Sequence, residues 1–173
     1  DFLVGYHRQY PLRTGAPREE IRSRLGMKQQ VFGHVLARLQ EGGLLVEDGA
    51  TVRQAGHVRT LSDDQRLVAD QYVDTLKTNP YSPPTDSPPD TELIGMLADE
   101  GRVVRVSDSV VFDPGAYGEM LDGVKTHIEE HGEITVADVR DMFGASRKYA
   151  LALLDYLDQQ RVTRRVGDAR VLR

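Results

Sequence analysis

The sequence contains three copies of one pattern, in which an amphipathic helix ends near a leucine and leads into a short pair of strands. The three stretches read VLARLQEGGLLVEDGATV, LIGMLADEGRVVRVSDSVVF and LALLDYLDQQRVTRRVGDARVL. Their helix-terminal leucines, Leu39, Leu97 and Leu157, lie 58 and 60 residues apart. The chain is therefore expected to consist of repeated units of roughly sixty residues each.

In the last copy, two further helices are predicted before the helix of the repeated pattern. Apolar residues recur at helical spacing over residues 117–128, and Gly132 can end this first helix. Thr135 followed by Asp138 has the spacing of a capping box, which begins a short second helix. Gly144 closes that second helix.

A third helix and a hairpin complete the last copy. Ser146 can cap the third helix, and two strands over residues 162–166 and 169–172 flank the turn Gly167-Asp168. Three helices and a hairpin predict a winged helix. The expected fold class is mainly α with small β-wings: tandem winged-helix domains, each a three-helix helix-turn-helix unit with a β-hairpin.

The first two copies follow the pattern to different degrees. In the first, helices are predicted to about Tyr10, from near Pro17, and over about 28–40, with a wing over 44–52. In the middle copy, a long helix over 63–77 is followed by YSPPTDSPPD, whose four prolines forbid the second helix. This stretch is a packed loop of a degenerate winged helix or, alternatively, a flexible linker. The predicted domains are 1–58, 59–113 and 114–173.

Charge separates the last copy from the rest of the chain. The net charge of -5 argues against a surface that binds nucleic acid everywhere, because phosphate contacts come largely from Lys and Arg. The segment 140–173 alone carries +4, which leaves -9 for the remainder. This asymmetry indicates one local anion-binding site. The eight basic residues of the segment are Arg140, Arg147, Lys148, Arg161, Arg164, Arg165, Arg170 and Arg173.

Composition excludes several protein classes. No apolar run approaches the length that crosses a bilayer, and the absence of cysteine excludes disulfides and thiolate metal sites. Asp1 stands where an initiator Met or a signal peptide would be expected, so the sequence is interpreted as a fragment of a cytoplasmic protein.

The third helix of the last copy begins with residues suited to an anion. Ser146, Arg147, Lys148 and Tyr149 lie at its predicted N-terminus, where unpaired backbone N–H groups and the helix dipole favour a phosphate. Tyr149 either stacks on an unpaired base, as aromatic side chains do in RNA recognition, or packs in the core.

The wing gives a second argument for an anion. A Gly167-Asp168 turn places Arg165 opposite Arg170, and Arg164 opposite Val171. Like charges directly opposite each other destabilise a hairpin, so an anion such as a phosphodiester is expected between Arg165 and Arg170. In the alternative, both arginines are solvated or paired with Asp138 or Asp141. A slip of one residue in the register would weaken the argument.

The other two copies lack this chemistry. At the corresponding positions the first copy has Met27, Lys28, Gln29 and Gln30, and its wing is acidic, with Glu47 and Asp48. The middle copy places acidic residues around its last helix, which would repel a nucleic acid: Asp90, Glu92, Asp99 and Glu100. Spacer or protein-facing roles are expected for both copies.

One enzymatic motif competes with these interpretations. The sequence from His127 to His131 matches the H-x-x-E-H pattern of inverted zinc peptidases. A peptidase needs a further protein ligand and a cleft, and only 42 residues follow His131. We interpret the two histidines as a solvated helix end, and expect no metal and no catalysis.

The segment SRKYALALLDYLDQQRVTRRVGDARVL is similar to the closing segment of bacterial selenocysteine-specific elongation factors, and PLRTGAPREEIRSRLG, YSPPTDSPP and the EGG and DEG turns extend the resemblance. Members of this family combine a translational GTPase with a tail of winged helices, the last of which recognises the selenocysteine insertion (SECIS) hairpin of the messenger RNA. The resemblance assigns RNA binding to Ser146, Arg147, Lys148, Tyr149 and the wing arginines Arg164, Arg165 and Arg170, to which we add Arg140.

The resemblance also implies what this sequence does not carry. GTP, Mg²⁺ and tRNA binding belong to the GTPase, so no cofactor is expected here. The ribosome and selenocysteinyl-tRNA are expected partners only through the full-length protein, and a monomer without membrane contact is expected. Two other functions stay open: a winged-helix DNA-binding regulator, expected to be a dimer on duplex, and a protein-interaction scaffold.

Overall fold

The computed structural model describes residues 2–173, so Asp1, on which the fragment interpretation partly rests, lies outside the described residues. Two units are present, one ending at Gln65 and one running from Arg66 to Arg173. The predicted segments 59–113 and 114–173 fall almost entirely within the second unit. Their separation at residue 113, and the boundary at residue 58, remain predictions.

The first unit is a three-helix winged helix, as the sequence predicts. Its sheet has the order β1-β3-β2, with both pairings antiparallel. The apolar faces of the helices meet over Phe32, Leu36 and Val52, each at most 3% exposed. The two-residue strand β1 was not predicted. The elements are α1 (Phe2–Gln9), β1 (Ala16–Pro17), α2 (Arg18–Arg24), α3 (Gln29–Glu41), β2 (Leu45–Asp48) and β3 (Thr51–Gln54).

The middle segment has two helices and a minimal hairpin. Residues 79–90 contain no helix, which confirms that the prolines replace helix two. Pro83 in this stretch is buried, so the stretch is a packed loop and the flexible-linker alternative is wrong. The elements are α4 (Asp63–Thr78), α5 (Thr91–Asp99), β4 (Val104–Arg105) and β5 (Val111–Phe112).

The last segment forms the predicted winged helix. The Thr135 side chain accepts from the Asp138 backbone N–H while the Asp138 carboxylate accepts from Thr135, which confirms the capping box. Gly132 and Gly144 end their helices in the left-handed conformation. The sheet order is β6-β8-β7. The elements are α6 (Pro114–His131), β6 (Ile134–Thr135), α7 (Val136–Phe143), α8 (Arg147–Gln159), β7 (Thr163–Val166) and β8 (Ala169–Leu172).

The repeat seen in the sequence is reproduced in the backbone. The carbonyl oxygens of Leu39, Leu97 and Leu157 each accept from the N–H group five residues later, at 3.0, 2.9 and 3.0 Å. One residue before each donor, the chain takes a left-handed conformation, at Gly43, Gly101 and Arg161, with φ of 69°, 69° and 60°. All three helices therefore turn into their wings through the same hydrogen-bonded cap.

The middle and last segments share one apolar core. Val110 and Phe112 of the middle hairpin pack in the same cluster as Met120 and Val124 of α6 and Leu154 of α8. Each of these five side chains is at most 1% exposed. Because burial of apolar surface is the main stabilising contribution to folding, the two segments are expected to fold together.

None of the helices within residues 2–173 combines the length and the apolar character needed to span a bilayer.

Candidate nucleic-acid interface

The first turn of α8 is open to solvent and carries two cations. Ser146 is the N-cap residue, yet its side chain makes no capping hydrogen bond, so only the position of the predicted cap is confirmed. The Ser146 carbonyl accepts from the N–H groups of Tyr149 and Ala150, both at 3.1 Å. Within residues 2–173, the N–H groups of Arg147 and Lys148 have no partner. Both side chains are exposed, so donors and positive charge occur together.

In α5, the corresponding helix of the middle segment, the N-terminus is already capped by a carboxylate. The Asp90 carboxylate accepts from the Glu92 N–H at 2.7 Å and so occupies the first turn of α5. Asp90 thus supplies negative charge where α8 has an uncommitted hydroxyl. This difference leaves α8 as the better phosphate site of the two.

The wing has the predicted register. Val166 lies opposite Ala169, Arg165 opposite Arg170, and Arg164 opposite Val171. Arg164 and Arg165 are exposed, and the Arg165 Nε donates to the Gly167 carbonyl oxygen at 2.9 Å. The Arg165 guanidinium lies 3.9 Å from the Asp168 carboxylate, but both side chains are more than 60% exposed. Solvent screens such a contact, so Arg165 can still accept a phosphate.

The assignment of Arg170 to the RNA surface was wrong. Its side chain is 2% exposed and forms ion pairs with Asp155 at 2.7 Å and Asp158 at 3.3 Å. The Thr163 hydroxyl donates to the other Asp158 oxygen at 2.6 Å, which completes the network. The prediction that an anion lies beside these opposed arginines is correct for Arg170. The anions are carboxylates of α8, and not a phosphate or the alternatives Asp138 and Asp141.

The ion pairs of Arg170 change the balance of charge among the other residues of the segment 140–173. It takes Asp155 and Asp158 as partners, which leaves Asp141 and Asp168 as the other acidic residues of the segment 140–173. The seven remaining basic residues of the segment are all exposed. Outside this network, which has a net charge of -1, the segment carries seven basic and two acidic residues and therefore a net charge of +5.

Tyr149 packs into the protein, in agreement with the alternative stated for it. Its ring is half-buried and lies edge-on to Phe112, with 6.4 Å between ring centroids. Its hydroxyl donates to the Pro83 carbonyl oxygen at 2.6 Å. A ring held in this way is not available to stack on a base, so the structure does not support that role.

Arg140 is exposed on α7, the helix that packs beside α8. Its inclusion in the site remains a prediction, because the only structural support is that α7 is in contact with α8. The same holds for the assignment of individual phosphate contacts to Ser146, Arg147, Lys148, Arg164 and Arg165.

The H-x-x-E-H motif forms a local contact at the end of α6. The rings of His127 and His131 stack with 4.3 Å between centroids, and the His131 Nδ1 lies 3.0 Å from the His127 carbonyl oxygen. The described part of the chain contains no group of three His, Cys, Asp or Glu side chains arranged to hold a metal ion.

Two sets of residues at this site were not predicted from the sequence. Asp155 and Asp158 have the i, i+3 spacing that places both on one face of α8, and this spacing was the available signal for a basic partner. The contacts of Pro83 and Thr85 with α8 span more than sixty residues, and nothing in the local pattern announces them.

Known proteins of one family are similar to this chain in sequence. Two family models described as "Elongation factor SelB, winged helix" match residues 1–53 and residues 126–172. The selenocysteine-specific elongation factor of Desulfomicrobium baculatum is 28% identical over all of this chain, which covers 29% of that protein. The factor of Escherichia coli (strain K12) is 23% identical, again over the whole chain and 30% of the relative.

A solved structure is also similar. The mRNA-binding domain of elongation factor SelB from E. coli, in complex with SECIS RNA, matches 65% of this chain and 99% of its own at 23% identity, with a TM-score of 0.49. This chain spans about 30% of the length of the curated relatives it matches. Since the two family models together match more than half of the chain and both relatives align over all of it, the chain belongs to the SelB family of selenocysteine-specific elongation factors, of which it represents the winged-helix region.

Proposed function

We propose that this region binds the SECIS hairpin of a messenger RNA through the first turn of α8 and the wing formed by β7 and β8. The observation that carries the proposal is the open N-terminus of α8, where exposed Arg147 and Lys148 flank unpartnered backbone N–H groups. Exposed Arg164 and Arg165 extend the positive surface onto the wing. Family membership selects an RNA hairpin as the anion.

The proposed interface consists of phosphate contacts and one hydroxyl. Arg147, Lys148, Arg164 and Arg165 supply charge to the backbone, with Arg140 as a further cation from α7. The Ser146 hydroxyl makes no capping bond and is therefore available to an exposed base or sugar. Tyr149 and Arg170 take no direct part.

In the full-length factor, the bound hairpin holds the GTPase near the UGA codon at which selenocysteinyl-tRNA is delivered. Ribosome and tRNA contacts are thus proposed for the whole protein, and translation places it in the cytoplasm. A monomer is proposed, because one winged helix and one hairpin satisfy this role.

The test is equilibrium binding of the chain to a fluorescent hairpin taken from downstream of an in-frame UGA codon in the source genome. Binding is measured over a salt series for the wild type and for Arg147→Ala/Arg165→Ala. Each lost phosphate contact should reduce the salt slope by about 0.7–0.9. Arg38→Ala, which removes an exposed arginine from the first unit, is the matched control and should leave the slope unchanged.

Tight binding that the double substitution weakens, and that exceeds binding to an unrelated hairpin of equal length, would support the proposal. Equal binding to the unrelated hairpin would contradict it. Preferential binding to duplex DNA would favour the regulator interpretation, and absence of binding to either nucleic acid would favour the protein scaffold.

A further inference from the structure

The proline-rich loop of residues 79–90 lies against the turn between α7 and α8. The Tyr81 ring packs on Phe143 at the end of α7, with 5.2 Å between centroids, and the Tyr81 hydroxyl donates to Glu119 on α6. Pro83 is buried and its carbonyl oxygen accepts from Tyr149. The loop thus contacts all three helices of the last winged helix.

Two of these contacts fall on the first turn of α8. The Tyr149 hydroxyl donates to Pro83 at 2.6 Å, and the Lys148 ammonium donates to the Thr85 hydroxyl at 2.9 Å. Four prolines between residues 81 and 90 restrict the backbone of the loop even before it packs. A loop of low conformational entropy therefore holds two consecutive residues of the helix that faces the RNA.

We infer that the 79–90 loop is a positioning element of the RNA site, and that Tyr149 is a positioning residue of that site. The inference rests on the proposed function. The loop fixes the first turn of α8 in the free protein, so binding of a hairpin does not have to order it. Affinity rises because less conformational entropy is lost on association. The middle segment thereby contributes to RNA binding without contacting RNA.

The contacts leave the site accessible. The Ser146 and Arg147 side chains are exposed to solvent. Lys148 is exposed and has three N–H donors, of which the contact with Thr85 uses one. The loop therefore supports the cations from one side and does not compete with a phosphate.

The decisive substitution is Tyr149→Phe in the full chain, which keeps the ring and removes the hydroxyl that bonds Pro83. Tyr156→Phe is the matched control, because Tyr156 lies on the same helix and packs edge-on to Tyr117 and not on the loop. Both variants are compared with wild type for hairpin affinity across a salt series and for amide hydrogen exchange of the loop. Circular dichroism establishes that each variant is folded.

The expected result is an affinity about 3- to 10-fold lower for Tyr149→Phe, the effect of about one net hydrogen bond. The salt slope should stay at the wild-type value, since no phosphate contact is lost, and exchange in the loop should become faster. Tyr156→Phe should change neither. Thr85→Ala should lower affinity in the same direction, also without a change of slope.

Other outcomes would overturn the inference. Wild-type affinity in Tyr149→Phe would show that the hydrogen bond between Tyr149 and Pro83 is irrelevant to RNA binding. Tighter binding would show that the loop competes with RNA. If the wild type binds the hairpin and Tyr149→Phe matches it, only this inference fails. If the wild type does not bind the hairpin, the proposed function fails and the inference falls with it.

Discussion

At the scale of single residues, Arg170 shows how one buried charge organises a surface. Its guanidinium is neutralised by Asp155 and Asp158, and the Thr163 hydroxyl satisfies a remaining carboxylate oxygen. A buried ion pair contributes little net stability compared with an apolar replacement, but removing one partner is costly. The network ties β8, the central strand of the last sheet, to the helix that carries Arg147 and Lys148.

Arg170→Met should lower the free energy of unfolding by roughly 2–3 kcal/mol, because it leaves two carboxylates near an apolar side chain. This value is below that of a fully buried pair, since half of the Asp155 side chain is exposed. Urea unfolding measures it, and Arg165→Met, at an exposed position opposite on the wing, is the control. Full stability with lost RNA binding would return Arg170 to the RNA surface.

His7 is a second buried polar residue, and it makes the first unit sensitive to pH. Its Nε2 accepts from the Gln54 N–H at 3.3 Å, its Nδ1 has no partner within residues 2–173, and its ring stacks on His57 at 3.6 Å. Desolvation by burial, with His57 and then Arg53 nearby, lowers the pKa of His7 below the ordinary value of 6.5.

The folded state therefore favours neutral His7, and stability is lost on acidification. The contribution of His7 is fully present above pH 6.5, falls as pH drops through 6.5 toward the lower folded pKa, and is gone below it. Urea unfolding of the first unit should be easier at about pH 5 than at about pH 8. His7→Gln, which keeps a hydrogen-bond acceptor, should flatten this dependence. An unchanged pH dependence in His7→Gln would assign the effect to another group.

At the scale of elements, the three helix caps differ in one respect that affects stability. The cap residue with positive φ is glycine in the first two copies and Arg161 in the last. A Cβ in this conformation is strained, whereas glycine adopts it without cost. Arg161→Gly should therefore raise the free energy of unfolding by about 0.5–1 kcal/mol after the greater flexibility of the unfolded glycine chain is considered.

The matched control is Arg161→Ala, which removes the charge and keeps the Cβ, and it should give no such gain. Gly101→Ala, at the equivalent position of the middle copy, should lower stability by about 1 kcal/mol. Thermal or urea unfolding of the second unit measures all three. Stabilisation by Arg161→Ala as large as that by Arg161→Gly would show that charge, and not backbone strain, is responsible.

The elements whose signals are local could be predicted, and those that depend on tertiary contacts could not. Capping residues, helical periodicity and the Gly167-Asp168 turn fixed α7, α8 and the wing register, because each signal lies within a few residues of the element it defines. β1 and β6 are two residues long and exist only through pairing with β3 and β8. Likewise, the burial of Arg170 and Tyr149 depends on tertiary contacts: Arg170 on β8 pairs with carboxylates of α8, and Tyr149 on α8 bonds to the loop at Pro83.

At the scale of the whole molecule, the chain reuses one fold and changes its surface. When the sequences of α3 and α8 are aligned on Leu39 and Leu157, Lys28, Gln29 and Gln30 correspond to Ser146, Arg147 and Lys148. Lys28 and Ser146 are the N-cap residues, and neither forms a side-chain capping hydrogen bond. The backbone of a phosphate site is thus present in both copies. Only the last copy adds the two cations at the first two helical positions and a basic wing.

This correspondence defines a test in which the protein supplies its own control. Arg147→Gln/Lys148→Gln gives α8 the residues that α3 has at its first two positions, while the helix, its cap and its core contacts stay as they are. Two phosphate contacts are removed, so the salt slope for the hairpin should fall by about 1.4–1.8 and affinity should decrease at every salt concentration.

Lys28→Gln removes the positive charge at the start of α3 in the first unit. It should leave both the slope and the affinity at the wild-type values, because the acidic wing with Glu47 and Asp48 makes that end of the unit a poor site for phosphate. Fluorescence anisotropy over a salt series distinguishes the variants. Equal reductions in slope for Lys28→Gln and for the double substitution would show that RNA contacts both copies, and that charge asymmetry along the chain does not decide where the hairpin binds.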